Sequence, residues 1–445
     1  MSQKPELSPI LNRADIEFDI DILERKSMSL LSWKLHGDGK SISSGEVVST
    51  DERLTWPRTM GVGLQHIAAM FGATFLVPII TGFPPTTTLF FSGIGTLLFL
   101  IITKNRVPSY LGSSFAFLAP IAAAMGADKN FGAALGGVVV TGVILAVVGL
   151  LVKAAGVNWI NNLLPPVVTG TIVMVIGLNL AGAAKGNVTQ GPVVAIVTLL
   201  AIALFASMSK GFMSRISIFL GIVVGYVYAA VRGDVNFDGV KAAKWFALPD
   251  FTTPTFSGSA ILLFLPVVLV LIAENVGHVK AVATMTGKNL DDAMGDALFA
   301  DGVATTVAGL GGGSGTTTYA ENIGVMAATR VYSTAAYWIA GVGAILLGLV
   351  PKFGAVLSAT PVGALGGAAT ALFGMIGILG AKIWIESKVD FSNTTNLIIV
   401  GSSLIIGISD MSWTAGDYTF SGIINATLVA VFGTMLLNAL SKMRS

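Results

Sequence analysis

The sequence of 445 residues contains no cysteine, and its three histidines, His36, His66 and His278, lie far apart in the chain. Without cysteine there is no disulfide scaffold, thiolate metal site or cysteine nucleophile, and scattered histidines do not make a zinc site. Charged residues are also scarce: they form 11% of the chain, against about 25% in a soluble globular domain. The net charge of +2 offers no basic surface to nucleic acid. We therefore expect no resident metal or cofactor and no nucleic-acid partner.

Apolar residues, by contrast, form 53% of the chain. A water-facing surface cannot be built from this composition, so the sequence predicts an integral membrane protein surrounded by lipid. The charges are unevenly placed: residues 1–56 hold ten acidic and seven basic residues, and the rest of the chain holds 14 and 19. Residues 1–56 are therefore predicted to be a polar, loosely ordered cytoplasmic tail. Its opening, MSQKPELSPI, lacks the basic and apolar regions of a signal peptide.

A membrane-spanning helix needs about 20 apolar residues, and twelve such stretches follow the tail. They lie at 59–81, 86–103, 131–152, 163–183, 191–208, 213–231, 258–279, 292–310, 332–350, 362–384, 394–409 and 418–440. Two further segments, 109–127 and 315–331, begin with hydroxyl-rich runs that favour extended backbone. Extended backbone at membrane depth is tolerated only where it is buried or lines a cavity. Counting both segments, the sequence predicts about fourteen spans, with short strands in the third and the tenth.

The lysines and arginines that follow the tail predict the orientation. With fourteen spans and the N-terminus inside, 13 of these residues fall on the cytoplasmic side and 6 on the outside. This bias predicts an even number of spans and cytoplasmic termini.

The chain also reads as a duplicated unit. Residues 57–232 and 258–445 each hold seven predicted spans, joined by an external linker at 233–257, and the irregular segment is the third in each half. Pro166 and Pro361 begin similar runs in the two fifth spans. An odd number of spans per copy inverts the second copy, and inverted repeats with broken helices are typical of secondary transporters. The predicted fold class is thus an all-α polytopic membrane protein of two inverted seven-span repeats. The alternative is that the two halves resemble one another only because their spans are similarly rich in glycine.

Five ionisable side chains fall inside predicted spans, where such groups are by default functional candidates. Glu274 and His278 are four residues apart in the eighth span, so they share a helix face and can share a hydrogen bond or a proton. Glu321 opens the helical half of the tenth segment, where a helix N-terminus offers free N–H groups. Asp301 and His66 lie within the ninth and first spans. For Glu274 and His278 the alternative is a structural pair that braces two spans.

These groups suggest the ligand chemistry. A carboxylate accepts hydrogen bonds from N–H donors, and free backbone N–H groups donate to carbonyls. A small flat ring with alternating N–H and C=O groups, such as a pyrimidine or an oxopurine, satisfies both. A histidine that titrates near neutrality can carry a coupling proton. An anion exchanger or channel is disfavoured by the two glutamates, and a membrane enzyme would need a nucleophile or metal constellation that the sequence lacks.

Two local patterns do not develop into sites. The run from Asp234 to Gly239 begins like a calcium loop, but Trp245 stands where the loop requires glutamate. Gly309–Gly313 resembles a phosphate-binding loop without the Gly-Lys-Ser/Thr that should follow. The first is predicted to be a turn, and the second to serve close backbone packing or a hinge.

Four segments resemble the motifs of a known family. They are Gln65-His66, Ser109–Phe117, Ala273–His278 and Glu321–Arg330. They are similar to those of the nucleobase–cation symporters of the nucleobase–ascorbate transporter superfamily, most closely to the bacterial uracil (pyrimidine) permeases. The resemblance runs from about Trp56 to the end of the chain.

The resemblance implies a fold of two inverted seven-span repeats arranged as a core and a gate domain. It also implies that the strands of spans three and ten cross at a substrate site. There, Glu274 and Glu321 would hold the N–H groups of the base, and the backbone amides of Phe115 and Ala320 would bind its carbonyls. Tyr319 would help to wall the site.

The resemblance further implies import of uracil by proton symport, in a homodimer that works by an elevator-like movement. His278, together with Glu274, would couple the proton, and His66, Asp301 and Ser114 would support the site. Asn275 and Ala320 depart from the commonest uracil pattern, which has histidine and glycine at these positions. The extra methyl of Ala320 can narrow the pocket and so bears on base selectivity. Because the same donors and acceptors fit an oxopurine, a purine or xanthine:proton symporter is the alternative.

Overall fold

The computed structural model describes residues 30–126, 130–416 and 418–444. These parts of the chain are mostly helical. The helices are α1 (Trp56–Thr81), α2 (Pro85–Ile102), α3 (Leu118–Met125), α4 (Phe131–Ala155), α5 (Asn158–Leu163), α6 (Pro166–Asn179), α7 (Ala181–Gln190), α8 (Pro192–Met208), α9 (Phe212–Arg215), α10 (Ser217–Val231), α11 (Asp238–Ala242), α12 (Gly258–Thr286), α13 (Met294–Gly311), α14 (Ala320–Thr329), α15 (Thr334–Gly348), α16 (Pro351–Ser358), α17 (Val362–Glu386), α18 (Thr394–Ile408), α19 (Gly422–Leu428) and α20 (Thr434–Arg444). The strands are β1 (Lys34–Leu35), β2 (Glu52–Arg53), β3 (Leu111–Ser113), β4 (Thr316–Thr318), β5 (Trp413–Ala415) and β6 (Tyr418–Phe420).

Several helices are long and apolar enough to cross a membrane. Among the described residues there are six of them, or seven if α15 and α16 form one broken span, and five shorter apolar helices accompany them. The chain is therefore a mostly helical, multi-pass membrane protein, as predicted. The two inverted repeats and the count of fourteen spans stay predictions.

Two predicted spans differ in detail from the helices. The stretch predicted at 332–350 becomes α15, and α16 follows it outside the predicted bounds at an angle of 83°. Pro351 is the first residue of α16, and a proline there starts a new helix more readily than it continues an old one. The stretch predicted at 163–183 corresponds to α6 and α7, which are interrupted at Leu180 but together form one apolar helix, Pro166–Gln190, long enough to cross a membrane.

The strands predicted in the third and tenth segments are confirmed. β3 and β4 run antiparallel, with Leu111 opposite Thr318 and Ser113 opposite Thr316, and all six of their residues are buried. Side chains complete this two-stranded ladder: the Leu111 N–H donates to Thr96 Oγ1 at 2.9 Å, and the Thr316 N–H donates to Thr305 Oγ1 at 3.1 Å. The strands thereby meet the requirement that non-helical backbone at membrane depth be hydrogen-bonded within the protein.

Glycine seams let the helices around these strands approach closely. α4 packs along α13, and α2 along α15. A Cβ built on Gly302 of α13 would lie 2.2 Å from the Ala146 nitrogen of α4, and one on Gly311 would lie 1.8 Å from the Phe91 ring. Small residues at helix contacts are the usual device of membrane proteins. The Gly309–Gly313 run therefore serves close packing, one of the two roles predicted for it.

The described half of the N-terminal tail is not loose. Residues 1–29 lie outside the described residues, but residues 30–55 form the short parallel pair β1–β2 and contact the loop between α14 and α15. Val48 is fully buried in that contact. The polar composition of the tail did not indicate that residues 30–55 are ordered, because their contacts are made mostly by backbone groups and single apolar side chains.

Candidate functional site

The two broken segments bring two helix N-termini together. The Ser114 N–H donates to the Gly315 carbonyl at 3.1 Å, so the ends of β3 and β4 are fixed to one another. Phe115 begins the short 3₁₀ run Phe115–Phe117, which leads into α3, and Ala320 begins α14. N–H groups in the first turn of a helix have no partner within the helix, and those of Phe115 and Ala320 have none among the described residues. Two donors with the positive helix dipole behind them are therefore available.

Glu274 of α12 connects both segments. Its Oε2 accepts hydrogen bonds from Thr317 Oγ1 at 3.0 Å and from Ser114 Oγ at 3.3 Å. The side chain is partly exposed, and within the described chain its Oε1 accepts no hydrogen bond. One carboxylate oxygen thus fixes the geometry of the site, and the other remains available to a donor.

Glu321, the second residue of α14, supplies the second carboxylate. Its side chain is partly exposed, as is Phe115, and Ala320 is exposed. The charges of Glu321 and Glu274 are close enough to act on one another. Four of the five residues predicted to bind substrate are therefore at least partly exposed, and they supply two acceptors and two donors.

The predicted hydrogen bond between Glu274 and His278 is not formed. His278 Nδ1 lies 2.8 Å from Thr318 Oγ1, whereas Glu274 binds Thr317 and Ser114. The two side chains share a face of α12, as predicted. However, β4 lies alongside that face and offers each of them a hydroxyl in place of the other side chain.

Tyr319, the fifth predicted binding residue, is 3% exposed and braces the strands. Its hydroxyl donates to the Ser113 carbonyl at 2.8 Å and accepts from Thr74 Oγ1 at 3.0 Å. A Cβ on Gly112 would lie 2.5 Å from the ring. The ring is thus held across β3, between that strand and α1.

Asp301 and His66 lie behind the two carboxylates. Asp301 binds Asn275 Nδ2 and accepts from Thr316 Oγ1 at 3.1 Å. His66 Nδ1 lies 3.1 Å from Asn322 Nδ2. Both side chains are fully buried, and each contacts the asparagine that follows a site glutamate in the sequence. They therefore contact the two asparagines inside the protein and are not accessible beside the carboxylates; their supporting role stays a prediction.

The residues that sequence reasoning missed are the three threonines of β4. Thr316, Thr317 and Thr318 bind Asp301, Glu274 and His278 in turn. The signal was present in the hydroxyl-rich run that predicted the strand. It would have been recognised by asking which groups satisfy buried ionisable side chains, because such groups require hydrogen-bond partners.

The described residues contain no group of three or more histidine, aspartate or glutamate side chains that could hold a metal ion.

Sequence comparison shows that the chain is similar to known permeases. A sequence model described as "Permease family" matches residues 57–416. The chain is 47% identical over 423 residues to a putative pyrimidine permease of Escherichia coli (strain K12), covering 92% of this chain and 94% of that protein. It is 40% identical over 417 residues to a uracil permease of Paenibacillus larvae, covering 89% and 98% of the two chains. Against the uracil permease of Escherichia coli (strain K12) the identity is 40% over 410 residues, with coverage of 89% and 95%.

Solved structures share the fold at much lower identity. The murine Slc26a9 anion transporter, in its inward-facing state, aligns with a TM-score of 0.66 at 12% identity, over 99% of this chain and 74% of that one. The transmembrane domain of the cyanobacterial bicarbonate transporter BicA aligns with a TM-score of 0.59 at 14% identity, over 87% and 99% of the two chains. Likeness at these identities establishes the architecture and carries no information on the substrate.

Proposed function

This chain belongs to the nucleobase–ascorbate transporter family of permeases, which are transporters and not enzymes, and from that premise we propose that it imports uracil by proton symport. The observation that carries the proposal is the pairing of two carboxylates with two unpartnered helix N-termini at the β3–β4 crossing. The names of the relatives supply the substrate class, and the chemistry of the site is compatible with it.

A uracil ring offers two N–H donors and two carbonyl acceptors in one plane. The carboxylates of Glu274 and Glu321 are acceptors for the N–H groups, and the backbone N–H groups of Phe115 and Ala320 are donors for the carbonyls. A hydrogen bond to a charged group contributes about 1.5–3 kcal/mol. Loss of such a bond leaves a desolvated partner behind, so the site rejects ligands that lack the matching N–H.

His278 and Glu274 are the proposed proton-coupling residues. They occupy one face of α12 and bind adjacent threonines of β4. A change in the protonation of either side chain therefore acts on the strand that leads into α14 and Glu321. We expect His278→Ala to impair gradient-driven accumulation more than equilibrium binding, whereas Glu274→Gln and Glu321→Gln abolish base binding.

We further propose a homodimer in the inner membrane, with both termini in the cytoplasm and a core that moves against a gate. The helix packing supports two inverted repeats. If the two halves are repeats, α4 corresponds to α15, α12 to α1 and α13 to α2. The contacts of α4 with α12 and α13 are then matched by those of α15 with α1 and α2. Similarly, the contact of α8 with α10 is matched by that of α18 with α19.

The test is uptake of radiolabelled uracil into proteoliposomes under an imposed inward proton gradient, with thymine, xanthine, uric acid and ascorbate as competitors. The proposal predicts gradient-driven uptake that only pyrimidines block. Absence of uracil uptake together with transport of xanthine would contradict it. Such a result would favour the second candidate, an oxopurine carrier, which uses the same donors and acceptors and differs in the space beside Ala320.

A further inference from the structure

The end of the tail forms a compact unit that we name the N-terminal clamp, residues 30–55. The parallel strands β1 and β2 hold it together. His36 Nδ1 lies 2.8 Å from Glu52 Oε2, and the same oxygen accepts from the Ser49 N–H at 3.0 Å. These bonds close the segment on itself, so it contacts the rest of the protein as one piece.

The clamp binds the loop at which α14 ends. Val48 donates its N–H to the Arg330 carbonyl at 2.9 Å, and its carbonyl accepts from the Tyr332 N–H at 2.8 Å. The Thr50 carbonyl accepts from the Thr334 hydroxyl at 2.9 Å, and that hydroxyl also accepts from Trp33 Nε1 at 2.8 Å. Glu321 is at the other end of the same ten-residue helix.

The clamp also binds the end of α12. Lys288 follows the last turn of that helix, and its Nζ donates to Thr50 Oγ1 at 3.3 Å. The charge of Lys288 also acts on Glu52. Thr50, which is 5% exposed, therefore contacts Lys288 beyond the end of α12 and Thr334 at the start of α15. Val48, two residues earlier in the clamp, contacts Arg330 at the end of α14. The clamp thus joins the far ends of the two helices that carry Glu274 and Glu321.

We propose that the N-terminal clamp holds α12 and α14 at a fixed separation, so that the spacing of the Glu274 and Glu321 carboxylates, and with it substrate affinity, depends on Thr50 and Lys288. This inference rests on the proposed function for its substrate, but the spacing of the two helices is measurable without any substrate. Thr50 and Lys288 are positioning residues: they act through the helices and not by contact with the base.

The clamp is a permanent attachment and not a latch that opens during transport. Val48 is fully buried, and Val331, its partner in the parallel bridge, is 2% exposed. Release of the clamp would expose both side chains and leave the Arg330 carbonyl and the Tyr332 N–H without partners. Each such loss is unfavourable.

The first test uses the full chain, whose lack of cysteine makes introduced thiols the only ones present. Spin labels on Thr284→Cys in α12 and Ala327→Cys in α14, both exposed positions, report the helix separation. In Thr50→Val and in Lys288→Met we expect a broader distance distribution and a uracil Kd raised about three- to tenfold, the effect of one net hydrogen bond. Thr50→Ser keeps the hydroxyl and should match wild type in both readouts.

Two outcomes overturn the proposal. One is an unchanged distance distribution in Thr50→Val and Lys288→Met, which together with a lower thermal stability would show a merely structural role; the other is a broader distance distribution with an unchanged uracil Kd. If the wild-type chain binds no uracil, the proposed function fails, but the distance measurement still decides the inference about the clamp.

The second test fixes the clamp in place. Neighbouring strands lie about 4.8 Å apart, so a Val48→Cys, Val331→Cys pair is close enough to form a disulfide. The permanent clamp predicts the same uracil uptake before and after oxidation. Loss of uptake on oxidation that a reductant restores would show that the clamp must open, and would overturn its permanence.

Discussion

Three consecutive threonines determine where the ionisable groups of the site are held. Thr316, Thr317 and Thr318 bind Asp301, Glu274 and His278, so a single short strand contacts three groups from two helices. Asp301 is fully buried, whereas Glu274 and His278 are partly exposed. The hydroxyls also supply hydrogen bonds to the carboxylates inside the membrane, where water is scarce.

Gly112 is the residue whose size matters most for this strand. In Gly112→Ala the new Cβ would lie 2.5 Å from Tyr319 Cζ and 2.6 Å from Thr74 Oγ1, so the ring must move and its bond to the Ser113 carbonyl is lost. We expect a stability loss of about 1–3 kcal/mol and weaker uracil binding, measured by thermal unfolding and equilibrium binding. Gly61→Ala in α1, where a Cβ meets nothing within 4 Å, is the control and should be neutral or slightly stabilising. Equal behaviour of the two variants would disprove the account of Tyr319.

At the scale of elements, the proposed roles in binding and in coupling belong to different threonines of β4. Thr317→Val removes a donor to Glu274, and Thr318→Val removes the partner of His278. We predict that Thr317→Val raises the uracil Kd, whereas Thr318→Val leaves the Kd near wild type and lowers the accumulation ratio under a proton gradient. Binding and proteoliposome uptake measured on both variants check this prediction. The opposite assignment of effects would contradict the proposed roles.

The N-terminal clamp should also respond to acid. Burial acts to raise the pKa of Glu52, but hydrogen bonds from the Ser49 N–H and His36, with the charges of His36 and Lys288, hold this pKa below its ordinary 4.5. The other facing carboxylate, Glu46, is 3.8 Å from His36. A depressed carboxylate pKa adds stability that is complete above the unfolded value and is lost as pH falls through the folded value.

We therefore predict that the clamp loosens only below about pH 4.5. Spin labels on Ser44→Cys and Thr284→Cys should show a narrow distance distribution at neutral pH that broadens in acid. Glu52→Gln should be broad at both pH values. A wild-type distribution that does not change down to about pH 3 would contradict the role of Glu52.

The sequence was sufficient to predict elements whose patterns are local. Hydroxyl-rich runs before apolar helices predicted β3 and β4, and the spacing of Glu274 and His278 predicted their common face. The bend of 83° between α15 and α16 and the order of residues 30–55 were not predictable, because both depend on contacts between distant segments. The partner of His278 was missed for the same reason, since Thr318 is 40 positions away.

At the scale of the whole molecule, the residues that follow β3 pack against α17. The Phe115 ring packs edge-on against Phe373 of α17 at 5.8 Å, and Leu118 of α3 belongs to one apolar cluster with Leu180 and Phe373. A core and gate movement that displaces α17 relative to β3 would therefore act directly on Phe115, whose N–H is one of the two donors.

The most direct test of the central claim is equilibrium binding of radiolabelled uracil to the purified full chain and to Glu274→Gln and Glu321→Gln. Each substitution removes a charged acceptor and keeps the shape of the side chain, so each should raise the Kd at least about tenfold, in line with 1.5–3 kcal/mol for a charged hydrogen bond. Glu386→Gln, whose side chain is 64% exposed beside Lys382, is the matched control and should bind like wild type. Wild-type affinity in either site variant would contradict the assignment of the two carboxylates to the substrate.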